Sequence, residues 1–301
     1  MRIALTSDLH LDATDANRAL VPRLAERAAL LRPDVLVIAG DVSARLPDIE
    51  ETFRAFVPAA PVRLFVPGNH DIWIARSAQA KGATSNFRHD VELREVCARH
   101  GFVHLGLAPL VHAGVGFAGT IGWYDYSFVH PDFPFTTADF ERKAKGKYRW
   151  MDMFYAKWVG EAGRDLSDAE VTTRCAAALR TQLTSLASDA AVRDIVVVSH
   201  HIPYVDILRT PVEDKHGYFR AYLGATVLGE VIDEFAALVR AILLGHLHRP
   251  LDEKRPSGAV VRSAPVGYLR PAPEDVSSVV ADGVTLVELP ATPRAVPPNP
   301  S

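Results

Sequence analysis

The chain has 301 residues, 48% of them hydrophobic and 23% charged, with a formal net charge of −3. That length allows one large domain or two ordinary ones with a substantial core. The near-neutral balance excludes a global pull towards nucleic acid or anionic membrane, so any affinity for phosphate must come from a local site.

In chain order, MRIALTSDLH opens with an apolar run that Asp8 stops, too short for a signal-peptide core. No run approaches the roughly 18 to 20 apolar residues that span a bilayer, and a cytoplasmic protein with no membrane partner is the expectation. RIALT (2–6), DVLVIAG (34–40), VRLFVPG (62–68), DIVVVSH (194–200) and RAILLGH (240–246) read as buried strands, rich in Val, Ile and Leu and closed by polar residues or Gly. Helix-like stretches alternate with them: LAERAALLR, DIEETFRAFV, FRHDVELREVCARH, RCAAALRTQLTSLA and GEVIDEFAALV. The alternation predicts an α/β fold with its ligand site beyond the carboxyl ends of strands.

Other segments break the alternation. LVHAGVGFAGT (110–120) reads as a strand pair, SGAVVRSAP as a further strand, and VSSVVADGVTLVELP as two more joined by a turn at Asp282 and Gly283. Mixed sheets fit this pattern better than a purely parallel one. With no repeat or clean linker, we expect a single domain over 1–290 and a Pro-rich tail at 291–301.

Residues 121–165 form an aromatic and basic excursion holding Trp123, Trp150, Trp158, Tyr124, Tyr126, Tyr148, Tyr155 and the run ERKAKGKYR. It is either a selectivity wall that stacks on a nucleobase or a satellite core with a solvated charged face. On the first reading, replacing Trp150 or Tyr148 with Ala changes substrate ranking. Cys97 and Cys175 are too few for a disulfide framework and read as buried structural thiols.

The strand ends carry the chemistry: Asp8 and His10 in SDLHLD, Asp41 in AGDVS, Asn69 and His70 in PGNHD, His200 in SHHIP, His246 and His248 in GHLH. Each alone is unremarkable, since Asp after Gly is often a turn residue and a lone His is more often surface or core. Five strands ending alike would require five independent accidents. Carboxylate and imidazole donors without thiolate suit Mn, Fe, Zn or a similar ion, and they outnumber the needs of one tetrahedral ion. Two ions are the natural partition, with Asp41 the candidate bridge. Ions held about 3.5–4 Å apart assist displacement at phosphorus from both sides, and their charge outweighs two carboxylates and a hydroxide.

The ordered set Asp-x-His, Gly-Asp, Gly-Asn-His-Asp, His and Gly-His-x-His, spanning residues 8–248, resembles the calcineurin-like metallophosphoesterase superfamily. The resemblance implies a four-layer sandwich of two mixed β-sheets flanked by helices. It further implies a phosphate ester hydrolysed by hydroxide generated at two divalent ions, Mn2+ first, Fe or Zn otherwise. One ion would take Asp8, His10, Asp41 and His248, the other Asp41, Asn69, His200 and His246. It gives His70 contact with the phosphoryl group and protonation of the leaving group, with Asp71 expected to orient the His70 imidazole. His201 is expected to face away, while His104, His112, His130 and His216 have no partnering pattern.

GDVSARL lacks the Asp-Arg-Gly of Ser/Thr protein phosphatases, GNHD departs from their Gly-Asn-His-Glu, and Ala44 stands where purple acid phosphatases place a Tyr iron ligand. Those branches are not expected. A phosphodiester, nucleotide-like in one version, is the first expectation for the substrate; a monoesterase or nuclease on the same core is the alternative. A non-catalytic scaffold, the competing class, would show lost ligands, and none is lost here.

Overall fold

The computed structural model describes residues 1–209, 214–270 and 275–289, the side chains of 214–216 excepted. The tail at 291–301 and the His216 side chain lie outside the described residues.

Strands β1 (Arg2–Thr6), β2 (Val35–Ile38), β3 (Val62–Phe65) and β4 (Val103–His104) pair in parallel in that order. A second sheet contains β5 (Leu110–His112), β6 (Val115–Thr120), β9 (Asp194–Ser199), β10 (Val239–Leu244), β11 (Leu251–Lys254) and β12 (Val260–Ser263). Its spatial order is β11-β12-β10-β9-β6-β5, with β5 and β11 antiparallel at the edges. A small hairpin, β7 (Ala144–Lys145) with β8 (Tyr148–Arg149), stands apart, and β13 (Thr285–Glu288) returns antiparallel to β1.

Two-residue alternation within the strands creates the layers. Ile3, Leu5, Val35 and Val37 of the first sheet meet Val196, Val198, Ala241 and Leu243 of the second in one buried cluster between the sheets. The alternate residues Ala4, Leu36 and Ile38 face outward to helices Asp15–Leu30 and Leu46–Phe56. Ile195, Val197, Ile242 and Leu244 likewise pack with helices Asp168–Ser188 and Thr226–Asp233. Strands buried on both faces explain the continuous apolar runs in the sequence. The result is the expected four-layer sandwich of mixed sheets.

One predicted hairpin is absent. Val276–Asp282 is a helix, not a strand turning at Asp282 and Gly283. Val276, Val279 and Val280 lie at helical spacing and pack on the outer core of the first sheet, while the Asp275 carboxylate accepts from the N–H groups of Ser277 and Ser278. Burial on one face and an N-cap override the β-propensity of three valines. Asp275→Ala is therefore expected to lower stability to urea by about 1 kcal/mol through loss of the cap; a change within about 0.5 kcal/mol, as for an ordinary surface site, would contradict the capped helix.

Candidate metal centre

The carboxyl ends of β1, β2, β3, β9 and β10 meet at one edge of the sandwich, and backbone hydrogen bonds bind the turns that follow them. The N–H of Asp8 donates to Gly40 O at 2.9 Å and that of His10 to Asp41 O at 3.0 Å. From the other sheet, the N–H of His246 donates to Asp8 Oδ1 at 2.9 Å. Asp8, His10, Asp41, His246 and His248 all have positive φ, between 46° and 68°. Left-handed backbone at a non-glycine residue costs of order 1–3 kcal/mol and persists where surrounding structure enforces it. Gly40 has φ 87°, and a Cβ on Gly68 would come within 2.1 Å of Asp41 Oδ1. These turns press backbone directly against the carboxylate.

Two groups of donors result. Asp8, His10, Asp41 and His248 form the first; Asp41, His200 and His246 form the second, so Asp41 belongs to both. In the first, His10 Nε2 lies 2.9 Å from His248 Nε2, and His248 Nε2 lies 3.4 Å from Asp8 Oδ1. In the second, His200 Nε2 lies 3.4 Å from Asp41 Oδ1, 3.3 Å from Asn69 Oδ1 and 3.2 Å from His246 Nδ1. Metal–ligand bonds of about 2.1 Å place neighbouring ligand atoms about 3.0–3.4 Å apart, so the spacings fit coordination.

Hydrogen placement in the second group makes the same case. His200 Nδ1 donates to Ala39 O at 2.8 Å, His246 Nε2 to Tyr222 O at 3.2 Å, and Asn69 Nδ2 to Asp152 Oδ1 at 3.0 Å. With those protons directed outward, the remaining ring nitrogens, the amide oxygen and the Asp41 carboxylate point lone pairs at one another. Only a proton or a cation satisfies such a set.

The electrostatics agree. Among the described residues, Asp8 and Asp41 have only imidazoles as ion-pair partners. Burial opposes ionisation of Asp41, yet His200 and His70 hold its carboxyl well below the usual range; His248 lowers that of Asp8 against burial. Burial also opposes a proton on His200, but Asp41 outweighs it and raises the imidazole to about 9, while burial followed by neighbouring imidazoles depresses His246 and His10. Ions bound here would displace protons.

The sequence pattern of calcineurin-like phosphoesterases matches residues 1–250. The chain belongs to that family. Calcineurin-like phosphoesterases are metal-dependent hydrolases that typically hold two divalent ions. Among solved structures, the phosphopantetheinyl hydrolase of Mycobacterium tuberculosis is similar at 21% identity and TM-score 0.66, over 98% of each chain. The protein TT1561 of Thermus thermophilus is 14% identical with TM-score 0.47, over 95% of this chain and 97% of that one. A dimetal phosphatase from Danio rerio is 13% identical with TM-score 0.49, over 87% and 86%. No curated protein sequence matches this chain.

In this calcineurin-like site His70 stands beside the donor groups, its Nε2 4.0 Å from Asp41 Oδ2 and its ring stacked on Trp73 at 3.7 Å. The Asp71 expectation needs correction: its carboxylate does not orient His70. Both oxygens accept backbone N–H groups, those of Asp41, Val42, Ser43 and Gly68 at 2.7–3.0 Å, clamping the turn after β2 to the turn after β3. His201 is buried behind His246 with its Nδ1 on Ile121 O, away from open space. His104, His112 and His130 join neither donor group.

The sequence reading missed Asp152, a buried residue of the excursion. It accepts from Asn69 Nδ2 and Trp73 Nε1 at Oδ1, and from Tyr124 Oη and Trp150 Nε1 at Oδ2. It therefore sets the Asn69 amide so that oxygen faces His200, and it holds the indole under His70. Only an acidic residue among aromatics marked it, without a motif. Tyr268, whose hydroxyl reaches His70, was missed for the same reason.

The rest of the excursion divides. Trp123 and Tyr124 are wholly buried, and Trp150 stacks on Tyr222 with centroids 5.0 Å apart. Lys143 pairs with Asp168, and Arg142 and Lys145 with Asp139. Cys97 is buried, burial pushing its thiol up, and Cys175 is half-buried; both are free.

Asp152→Asn leaves one indole N–H without an acceptor whichever way the new amide turns. It should cost about 1–3 kcal/mol of stability and weaken metal binding at the Asn69 side, read by denaturation and by metal titration of the apoprotein. Unchanged stability and two equally tight sites would refute the role given to Asp152.

Proposed function

We propose that this calcineurin-like phosphoesterase hydrolyses a phosphodiester bearing an uncharged organic arm, with Mn2+ as its first-choice metal and the cytoplasm as its place. The observation behind this is a cleft of about 780 Å³ that adjoins His70 and is lined by Trp73, Ala75, Met151, Tyr155 and Tyr268. Its size and apolar walls suit a small-molecule group. Either ester class offers an organic arm for this space, and the diester is the version put to the test below.

The nuclease alternative loses support because Arg142, Lys143 and Lys145 of the excursion pair with acidic residues of the chain, and the cleft offers Arg45 and Arg270 rather than a basic track. The name of the Mycobacterium tuberculosis structure, a phosphopantetheinyl hydrolase, suggests one ester to include among trial substrates.

In this reading Asp8, His10, Asp41 and His248 hold one divalent ion, and Asp41, Asn69, His200 and His246 hold the other. Two such ions supply Lewis acidity that acidifies water and neutralises charge on the phosphoryl oxygens. The chain supplies the geometry. Asp41 fixes the separation of the two groups, Asp71 fixes the turns that carry Asp41 and Asn69, and Asp152 fixes the Asn69 oxygen. His70, at the boundary of the donor groups and the cleft, donates the proton that the leaving oxygen needs as its bond to phosphorus breaks. The hydroxyl from water ends on phosphorus.

Chelated protein reconstituted with Mn2+ should hydrolyse bis-p-nitrophenyl phosphate with a kcat/KM at least about 10-fold above that for p-nitrophenyl phosphate, a discrimination of about 1.4 kcal/mol. Preference for the monoester would overturn the diester reading, and full activity after verified metal removal would overturn the metal assignment. Asp41→Asn should weaken both ions. His70→Ala should retain both ions and lose roughly 10²–10⁴ in turnover on an alkyl diester, with a smaller loss on nitrophenyl esters, whose leaving group needs no proton; loss of metal in the His70 variant would contradict its placement.

A further inference from the structure

We propose that Tyr268 is a positioning residue for His70 and the wall on which the organic arm of the substrate rests. The inference depends on His70 being the proton donor. It concerns a residue beyond the segment that matches the family pattern, which ends at residue 250.

Tyr268 is half exposed, at 50%, yet its backbone is anchored on both sides. The N–H of Val266 donates to Ser7 O at 3.0 Å and that of Gly267 to Asp8 O at 2.9 Å. Asn17 completes the brace: its Nδ2 donates to Gly267 O at 2.8 Å, and its Oδ1 accepts from the N–H of Leu269 at 3.3 Å. Gly267, at φ 71°, supplies the left-handed turn before the tyrosine. The strand end that delivers Asp8 thus also delivers Tyr268.

The ring lies 4.4 Å from the His10 ring and 4.8 Å from the His248 ring, while the hydroxyl is 3.2 Å from His70 Nε2. His70 is then held on three sides, by Trp73 against its face, His10 at its edge and Tyr268 at the nitrogen that must carry the proton. In the state ready to donate, Nε2–H points at the tyrosine oxygen, on the cleft side of the donor groups. A leaving oxygen entering along the Tyr268 wall takes that hydrogen bond over. The hydroxyl therefore acts through the direction of the imidazole, and the ring acts through contact with the arm.

The test uses the metal-loaded full chain and two diesters, one with an alkyl and one with a nitrophenolate leaving group. Tyr268→Phe keeps the wall and removes the hydroxyl. It should lose about 5- to 10-fold in kcat on the alkyl diester, the worth of one hydrogen bond, with KM, metal content and melting temperature unchanged and the nitrophenyl ester nearly unaffected. In a His70→Ala background the same change should have no further effect, because the two act as a unit. Tyr268→Ala should raise KM for both diesters as well. An unaltered alkyl kcat in Tyr268→Phe, a loss that multiplies with His70→Ala, or a loss of metal would each overturn the proposal while leaving the diester reading intact. A wild-type enzyme inactive on every diester would overturn both.

Discussion

Asp41 is a buried carboxylate with no lysine or arginine paired to it among the described residues, and much of the molecule is arranged around that fact. An isolated buried carboxylate is expensive unless paired and hydrogen-bonded. Here the compensation comes from several chain segments at once. The N–H of His70 donates to Oδ1 at 2.8 Å, imidazoles surround both oxygens, and Gly68 has no side chain so that backbone can approach. The set is complete only with positive charge between Asp41 and its neighbours. A proton or a cation can supply that charge, and these donors are of the kind that could hold a metal ion.

Asp71 shows how the arrangement is maintained. Burial and the charge of Asp41 push its carboxyl up to about 7, while the amides of Gly68 and Ser43 oppose the rise. Four N–H donors from two turns converge on it, so one side chain locks the Asp41 and Asn69 segments together. The residue that follows His70 in sequence thus serves the donor-bearing turns, and Trp73 and Tyr268 are side chains that contact the imidazole.

The strands, their buried faces and the convergence of Asp8, Asp41, Asn69, His200 and His246 at one edge were legible because they follow from local rules: apolar runs form the strands, and parallel order puts their carboxyl ends together. The helix at 276–282 was not, because its three valines satisfy either period until Asp275 and the packing surface decide. Nor could the sequence reveal Asp152 or Tyr268. Asp152 lies 83 residues from Asn69 and Tyr268 lies 198 residues from His70, so their roles exist only through tertiary contact. Asp71 misled for the opposite reason. Adjacency in sequence to His70 suggested a partnership that the turn geometry directs elsewhere.

In sequence the excursion reads as either a selectivity wall or a satellite core; in the structure most of its aromatic residues pack inward and two of its residues line the cleft. Trp123, Tyr124 and Trp150 pack inward, Asp152 braces Asn69, and Met151 and Tyr155 open onto the cleft. The cleft's far wall comes from Tyr268 and Arg270, beyond the family-matched segment. Not every cleft residue is tied to the donor groups, although Tyr268 is, through its contacts with His10 and His248. Replacement of Met151 or Tyr155 alters the space for the arm without touching a donor atom, whereas any change to Asp41 alters both donor groups. On the proposed reading, chemistry and selectivity fall largely to different parts of the chain, the first held by strained turns and the second by side chains on connections, where variation is least costly to the fold.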